Sequence, residues 1–103
     1  MIKVSVFYPW SAGVEFDMKY YLATHMPLVE ARLGAACKGI NVDQGIAGST
    51  PGAPPSFIAI VHILAESPEA FQAAFAPHMN EIMGDIPNFT KIQPTIQISE
   101  VKR

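Results

Sequence analysis

Cysteine is nearly absent from this chain, since Cys37 is its only example. One cysteine cannot form an internal disulfide, and its isolation excludes any metal site built from several thiolates. The first residues, Met1 to Val4, have neither the basic nor the apolar region of a signal peptide. These absences favour an intracellular setting.

Charged residues are also scarce. They make up 16% of the chain, the net charge is −2, and only Lys102 and Arg103 are adjacent basic residues. Nucleic-acid-binding domains carry a clustered basic surface, so this class is disfavoured. The longest apolar run, residues 57–61, is far shorter than the ~20 residues that span a bilayer. We therefore expect a soluble, cytoplasmic protein with no nucleic-acid or membrane partner.

Apolar residues, by contrast, are abundant and account for 50% of the chain. A domain of this length buries only about two-thirds of its unfolded surface. The excess predicts an apolar surface that another molecule covers, and a symmetric oligomer is the simplest arrangement. A single domain over residues 1–103 fits the typical ~100–150 residues.

Four segments have strand patterns. Apolar and polar residues alternate over residues 2–8 and 92–101, and more weakly over 38–47, as in half-buried strands. Residues 57–64 are apolar on both faces, which predicts a central strand covered on both sides.

Two segments have helix signals. The first begins at Asp17, a plausible N-cap, and ends at Leu33. The second begins with Ser67 as N-cap and Pro68 in the first turn, and Gly84 stops it. The order β-α-β-β-α-β, with right-handed crossovers, predicts an α+β ferredoxin-like fold with four antiparallel strands and both helices on one face. A second copy packed sheet against sheet would bury on the order of 800 Å² per partner, so we expect a homodimer.

One segment combines ionisable side chains with a helix breaker. Tyr21 and His25 are one turn apart and share a helix face. Pro27 cannot donate to the carbonyl of Ala23, so the helix should bend or break near residues 24–26. Imidazole titrates closest to neutrality, so His25 can transfer a proton while Tyr21 orients it or stabilises an oxyanion. Alternatively, His25 bonds carbonyls freed at the bend and Tyr21 belongs to the core.

Two patterns occur towards the ends of the chain: Phe16-Asp17-x-x-Tyr20-Tyr21-x-x-x-His25-x-Pro27-Leu28, and Asp85-x-Pro87-Asn88-Phe89-Thr90 followed by Pro94-x-Ile96-Gln97-x-Ser99-Glu100-Val101. Together they resemble the EthD family, which is named for a protein linked to ether degradation. The resemblance implies a dimeric α/β barrel with a small-molecule pocket in each half. The wider superfamily includes cofactor-independent monooxygenases, lactone isomerases, polyketide cyclases and haem-binding enzymes, so the resemblance implies no particular reaction.

Four further residues are candidates for binding a substrate. His78 follows Pro77 on the second helix and either lines the pocket or is a core histidine bonded to local carbonyls. His62, on the central strand, lines the pocket only if its row faces the barrel interior, and two apolar rows leave the face open. Phe7 and Trp10, at the end of the first strand, either wall an apolar ligand or cover the edge of the core.

No cofactor or metal is expected. The three histidines lack short metal-ligand spacing, and the chain has neither a phosphate loop nor a dinucleotide fingerprint. Acylphosphatases of this topology would need an arginine in the first loop, and metal chaperones a C-x-x-C motif; residues 9–15 contain neither.

Two functions remain. In the first, the protein is a cofactor-independent isomerase, cyclase or oxidoreductase, in which His25 and Tyr21 act on a small apolar carbonyl or aromatic metabolite. In the second, the dimer binds such a metabolite without catalysis or assists a partner enzyme of a degradation pathway.

Overall fold

The computed structural model describes all residues from Met1 to Arg103. Four strands form one antiparallel sheet: β1 (Ile2–Pro9), β2 (Gly39–Gln44), β3 (Phe57–Ala65) and β4 (Thr95–Glu100). Their spatial order is β2-β3-β1-β4, so β3 lies inside the sheet, as its apolar sequence predicted. The predicted ferredoxin-like α+β fold is confirmed.

The first helical segment connects β1 to β2. It consists of α1 (Met18–Tyr20), a π-helical turn (Tyr21–His25) and α2 (Met26–Leu33). The side chain of Asp17 caps it, because Oδ1 accepts a hydrogen bond from the backbone N–H of Tyr20 at 3.0 Å. The predicted N-cap is therefore confirmed.

The predicted break near residues 24–26 is replaced by a π-helical turn. The backbone N–H of Met26 donates to the carbonyl of Tyr21, one residue further back than in an α-helix. Pro27 then lies in the first turn of α2, where its missing N–H is tolerated best. A local bulge thus absorbs the proline, and the helix continues through it.

The second helical segment connects β3 to β4. It consists of α3 (Pro68–Phe75), a 3₁₀ turn (Ala76–His78) and α4 (Met79–Gly84). Ser67 is the N-cap, as predicted, and its Oγ accepts from the N–H of Ala70 at 3.1 Å. A short 3₁₀ turn (Ile86–Asn88) leads back towards the sheet. None of the helices is both long and apolar enough to cross a membrane.

The two outer strands are shorter than predicted. β2 stops at Gln44, and the next residue, Gly45, passes so close to β3 that a Cβ atom there would collide with the carbonyl oxygen of Phe57. β4 starts only at Thr95 instead of residue 92. The close approach of Gly45 to β3 thus accounts for the end of β2, and strand propensity does not encode such an approach.

The core lies between the helices and one face of the sheet. Val4 pairs with Ile63, and Val6 with Val61, on this helix-facing side. The helices contribute buried apolar side chains to the same core: Tyr21, Met26, Val29, Leu33, Phe71 and Ile82. The alternate residues of β1 and β3 lie on the opposite face, which no helix covers and which we call the open face.

Candidate functional site

A cavity of about 230 Å³ lies between the helices and the sheet. Its walls come from β1, β3, β4 and both helical segments, and 16 of its 19 lining residues are hydrophobic. No Asp, Glu, Lys or Arg is among them. Polar groups enter the lining only through Tyr8, Tyr21, His25 and Gln72.

Asp85 places a negative charge beside His25, one of the residues that line this cavity. Its Oδ1 accepts hydrogen bonds from the hydroxyl of Tyr20 at 2.6 Å and from Nδ2 of Asn88 at 2.9 Å. Burial alone would raise the pKa of the carboxyl, but the hydrogen bonds from Tyr20, Asn88 and His25 outweigh it and hold the pKa below its ordinary value. Asp85 is therefore ionised at neutral pH.

His25 connects this carboxylate to the cavity. Its Nδ1 lies 2.9 Å from Oδ2 of Asp85, and only 3% of the residue is exposed. Because an ionised carboxylate only accepts hydrogen bonds, Nδ1 must carry a proton, and in the neutral ring Nε2 keeps its lone pair. Nε2 has no hydrogen-bond partner in the chain. Every fully buried side-chain nitrogen or oxygen of the protein does have a partner, so Nε2 cannot be fully buried. Nε2 is thus accessible, at a residue that lines the cavity.

An aromatic cluster fixes the plane of the imidazole. The His25 ring stacks on Tyr21 at a centroid distance of 5.2 Å and an interplanar angle of 23°. Phe89 packs against it at 4.7 Å. The π-helical turn makes this possible, because its first and last residues, Tyr21 and His25, are both buried towards the sheet.

Two phenols complete the polar groups at this end of the cavity. Burial raises the pKa of Tyr8 to about 12. Burial also raises the pKa of Tyr21 far above its ordinary value, and the neighbouring Tyr8 adds to that shift. Both side chains therefore stay neutral at physiological pH and act as hydrogen-bond donors, not as bases.

The structure brings Tyr21 and His25 together but separates the other predicted residues from them. His62 and Phe7 lie on the open face, because Val61 and Ile63 occupy the helix-facing positions of β3. There Nδ1 of His62 is 2.7 Å from Oγ of Ser5, and the rings of His62 and Phe7 meet edge to face at 6.5 Å.

His78 and Trp10 also lie outside the cavity. His78 is half-buried in the 3₁₀ turn between α3 and α4, whose tighter winding interrupts the predicted second helix at this residue. Trp10, which is 37% exposed, borders a separate, wide depression of about 1050 Å³ formed by the β1–α1 loop and residues 87–92.

Three residues of the site were missed by the sequence analysis: Tyr20, Asp85 and Asn88. Asp85 lies 60 residues from His25 along the chain, so no local spacing connects the two. The available signal was the C-terminal pattern, which contains both Asp85 and Asn88 but was used only for the family resemblance. Nowhere do three or more His, Cys, Asp or Glu side chains form a group that could hold a metal ion.

The comparisons with known proteins agree on one family. The model of the EthD domain matches residues 12–93. An EthD-like protein from Ralstonia eutropha JMP134 is 51% identical, with a TM-score of 0.94 over 99% of this chain and 94% of that one. An ethyl tert-butyl ether d (EthD) family protein from Bacillus halodurans C-125 is 19% identical, with a TM-score of 0.67 over 98% of both chains.

A more distant structural match is a dimeric ferredoxin-like protein of unknown function from Thermobifida fusca YX. It is 14% identical, with a TM-score of 0.62 over 97% of this chain and 90% of that one, and so shares the fold. No functionally curated protein matches the sequence. The family model and the relative at 51% identity each extend over most of the chain, and the protein therefore belongs to the EthD family.

Proposed function

We propose that the protein is an enzyme that transfers protons without a cofactor, with a small apolar carbonyl or aromatic metabolite as substrate. The observation that carries the proposal is the hydrogen bond of 2.9 Å between His25 Nδ1 and Asp85 Oδ2, made by a histidine that lines an apolar cavity. In this role His25 is the general base and Asp85 is a positioning residue.

The chemistry follows from the polarity of the cavity. Nε2 of His25 would remove a proton from a carbon next to a carbonyl, and the resulting imidazolium would be stabilised by the carboxylate of Asp85. The neutral phenol of Tyr21 would donate a hydrogen bond to the enolate oxygen as its charge develops. Return of the proton to a different carbon gives an isomerisation. Attack of the enolate within the molecule gives a cyclisation, and its reaction with dioxygen gives an oxygenation.

The lining of the cavity restricts the substrate. Its volume of about 230 Å³ is below the ~300–1,000 Å³ of pockets for drug-sized ligands. The absence of Arg and Lys from its walls disfavours carboxylate or phosphate substrates, because such charges would be buried without a partner. A neutral metabolite of a degradation pathway fits these constraints, and the name of the Bacillus halodurans relative, which refers to ethyl tert-butyl ether, agrees with such a setting.

We further propose that a second copy of the chain covers the open face. Phe7, Ile60 and Leu64 lie on this face and are only half-buried, whereas Val61 and Ile63 on the helix-facing side of β3 are buried. The distant match from Thermobifida fusca is a dimer. Sedimentation velocity at micromolar concentration should show a dimer, and a monomer would contradict this part of the proposal.

The catalytic part can be tested before the natural substrate is known. A panel of small neutral ketones is incubated with the protein in deuterium oxide, and exchange of their α-protons is followed by proton NMR. We expect the protein to accelerate exchange of at least one ketone above the buffer rate. His25→Ala should reduce this acceleration by about 10²–10⁴-fold, the usual contribution of a general base.

His78→Ala is the matched control, because His78 does not line the cavity. It should leave exchange unchanged. Full activity in His25→Ala would remove this residue from the mechanism. Ketone binding without any exchange would favour the second function, a dimer that holds a metabolite without acting on it.

A further inference from the structure

The cavity is not closed on all sides. Met83, Ile96 and Ile98 line it, yet they are 38%, 49% and 47% exposed. Side chains that face both the cavity and solvent mark its opening. We call the gap bounded by these three residues the β4 cleft.

The position of β4 explains the opening. β4 is an edge strand that pairs only with β1. Ile98 pairs with Val4, and Ile96 with Val6, so both isoleucines lie on the helix-facing side. The buried residues Val4 and Phe71 show that the helices cover the middle of this face. Over β4 the cover is incomplete, and Met83 from α4 is an exposed helical residue that lines the same cavity.

The β4 cleft is apolar as well as open. Gln72 also lines the cavity and is exposed, but its amide carries no charge, and no carboxylate or ammonium group lines the space. The unbranched thioether of Met83 can adapt its shape to different ligands. Exposed apolar side chains that continue directly into a cavity are typical of a ligand-binding groove.

We propose that the β4 cleft is a second substrate subsite, which binds an uncharged alkyl or aryl tail. The inference rests on the proposed function, in which the reacting carbonyl lies beside His25 Nε2. The cavity of about 230 Å³, of which the cleft is the open end, accommodates only a small molecule. A longer substrate must extend through the opening, and there Ile96, Ile98 and Met83 remove its tail from water.

A tail fits this cleft better than a second copy of the chain does. A second copy seated on Ile96 and Ile98 would close the opening that the exposed lining residues mark. The open face offers a different apolar surface on the opposite side of the sheet, around Ile60 and Leu64. The two surfaces can therefore serve a ligand and a partner subunit separately.

The experiment measures the affinity of linear methyl ketones, from butanone to nonanone, by isothermal titration calorimetry on the full-length protein. Each added methylene that enters the cleft should lower Kd about fourfold, and the gain should end when the chain reaches solvent. Ile98→Glu places a carboxylate in the cleft, so it should weaken binding of the long ketones at least about tenfold and leave the shortest ones unchanged.

Matched variants separate the cleft from general effects of charge. Gln93→Glu adds the same carboxylate just before the same strand, at an exposed residue that does not line the cavity, and it should leave the whole series unchanged. Met83→Glu tests the helical side of the cleft, with Asn80→Glu on the exposed surface of the same helix as its control. Discrimination between long and short ketones should be lost in both cleft variants and in neither control.

Three results would overturn the subsite: no ketone binds, Kd does not depend on chain length, or the cleft variants weaken all ketones equally. Dissociation of a dimer by Ile98→Glu, seen in sedimentation, would assign the cleft to a partner subunit instead. The test is independent of catalysis. If the chain-length dependence holds but no ketone exchanges its protons, the proposed reaction fails while the subsite stands as a ligand-binding groove.

Discussion

Asp85→Asn is the most informative single change, because it keeps the shape of the side chain and removes only its charge and one acceptor. In the wild type, Oδ1 accepts from both Tyr20 and Asn88, and Oδ2 accepts from Nδ1 of His25. An asparagine has one oxygen and one amino group at these positions. The two donors on the Tyr20 side will hold the oxygen, so the amino group will face His25.

An amino group cannot accept a hydrogen bond from Nδ1. The imidazole must then take the other tautomer, in which Nδ1 accepts and the proton sits on Nε2 towards the cavity. The base is lost without any change of the fold. A tautomer fixed in this way removes the whole contribution of general-base catalysis, so we expect α-proton exchange to fall by about 10²–10⁴-fold. Asp85→Asn should therefore be nearly as damaging as His25→Ala.

Two measurements check this. The NMR exchange assay gives the rate, and nitrogen-15 NMR of the imidazole gives the tautomer directly. Asp17→Asn is the control, since Asp17 caps α1 and asparagine is an equally good N-cap. A rate and tautomer in Asp85→Asn that match the wild type would refute the role assigned to the carboxylate. A changed tautomer with an unchanged rate would show that Nε2 is not the base.

Two further predictions concern stability. The folded state holds the pKa of Asp85 below its ordinary value, so the stabilisation from its ionised form is present above the unfolded pKa and is lost as pH falls through the folded pKa. In urea unfolding at a series of acidic pH values, the stability advantage of wild type over Asp85→Asn should therefore shrink as the pH falls. A difference in stability that stays constant would contradict this prediction. Phe71→Ala should lower the free energy of unfolding by about 3–5 kcal/mol, because Phe71 is buried and stacks on Phe75 at 5.4 Å. Phe57→Ala, at a half-buried position near the open face, should cost less in the same urea assay.

The fold was accessible from sequence because its signals are local. Alternation along β1, the capping residues Asp17 and Ser67, and the uninterrupted apolar run of β3 each involve neighbouring residues, and together they define the element order. The open face illustrates the limit. Both rows of β3 are apolar, so only the packing of the helices decides that Val61 points inwards and His62 outwards.

The site was accessible only in part for the same reason. Tyr21 and His25 share one helical turn, and their proximity follows from spacing. The partner of His25 depends on how the turn after α4 returns to the first helix, which is a tertiary contact across 60 residues. Likewise, the missing N–H of Pro27 predicts that the helix bends or breaks. The π-helical turn that accommodates the proline instead depends on the burial of the residues before it, Tyr21 and His25.

The location of the charge explains how an apolar cavity can support proton transfer. An imidazolium buried among hydrophobic side chains would be strongly destabilised, and an unpaired carboxylate there would be no better. Here Asp85 lies outside the lining of the cavity, and Tyr20 and Asn88, its other partners, hold its negative charge near solvent. His25, which bonds Asp85 and lines the cavity, joins this charge to the apolar space. A substrate that fills the cavity would exclude water from Nε2 while leaving the hydrogen bond between His25 and Asp85 intact. In the proposed reaction, binding of apolar groups and activation of the base would therefore reinforce each other at this one residue.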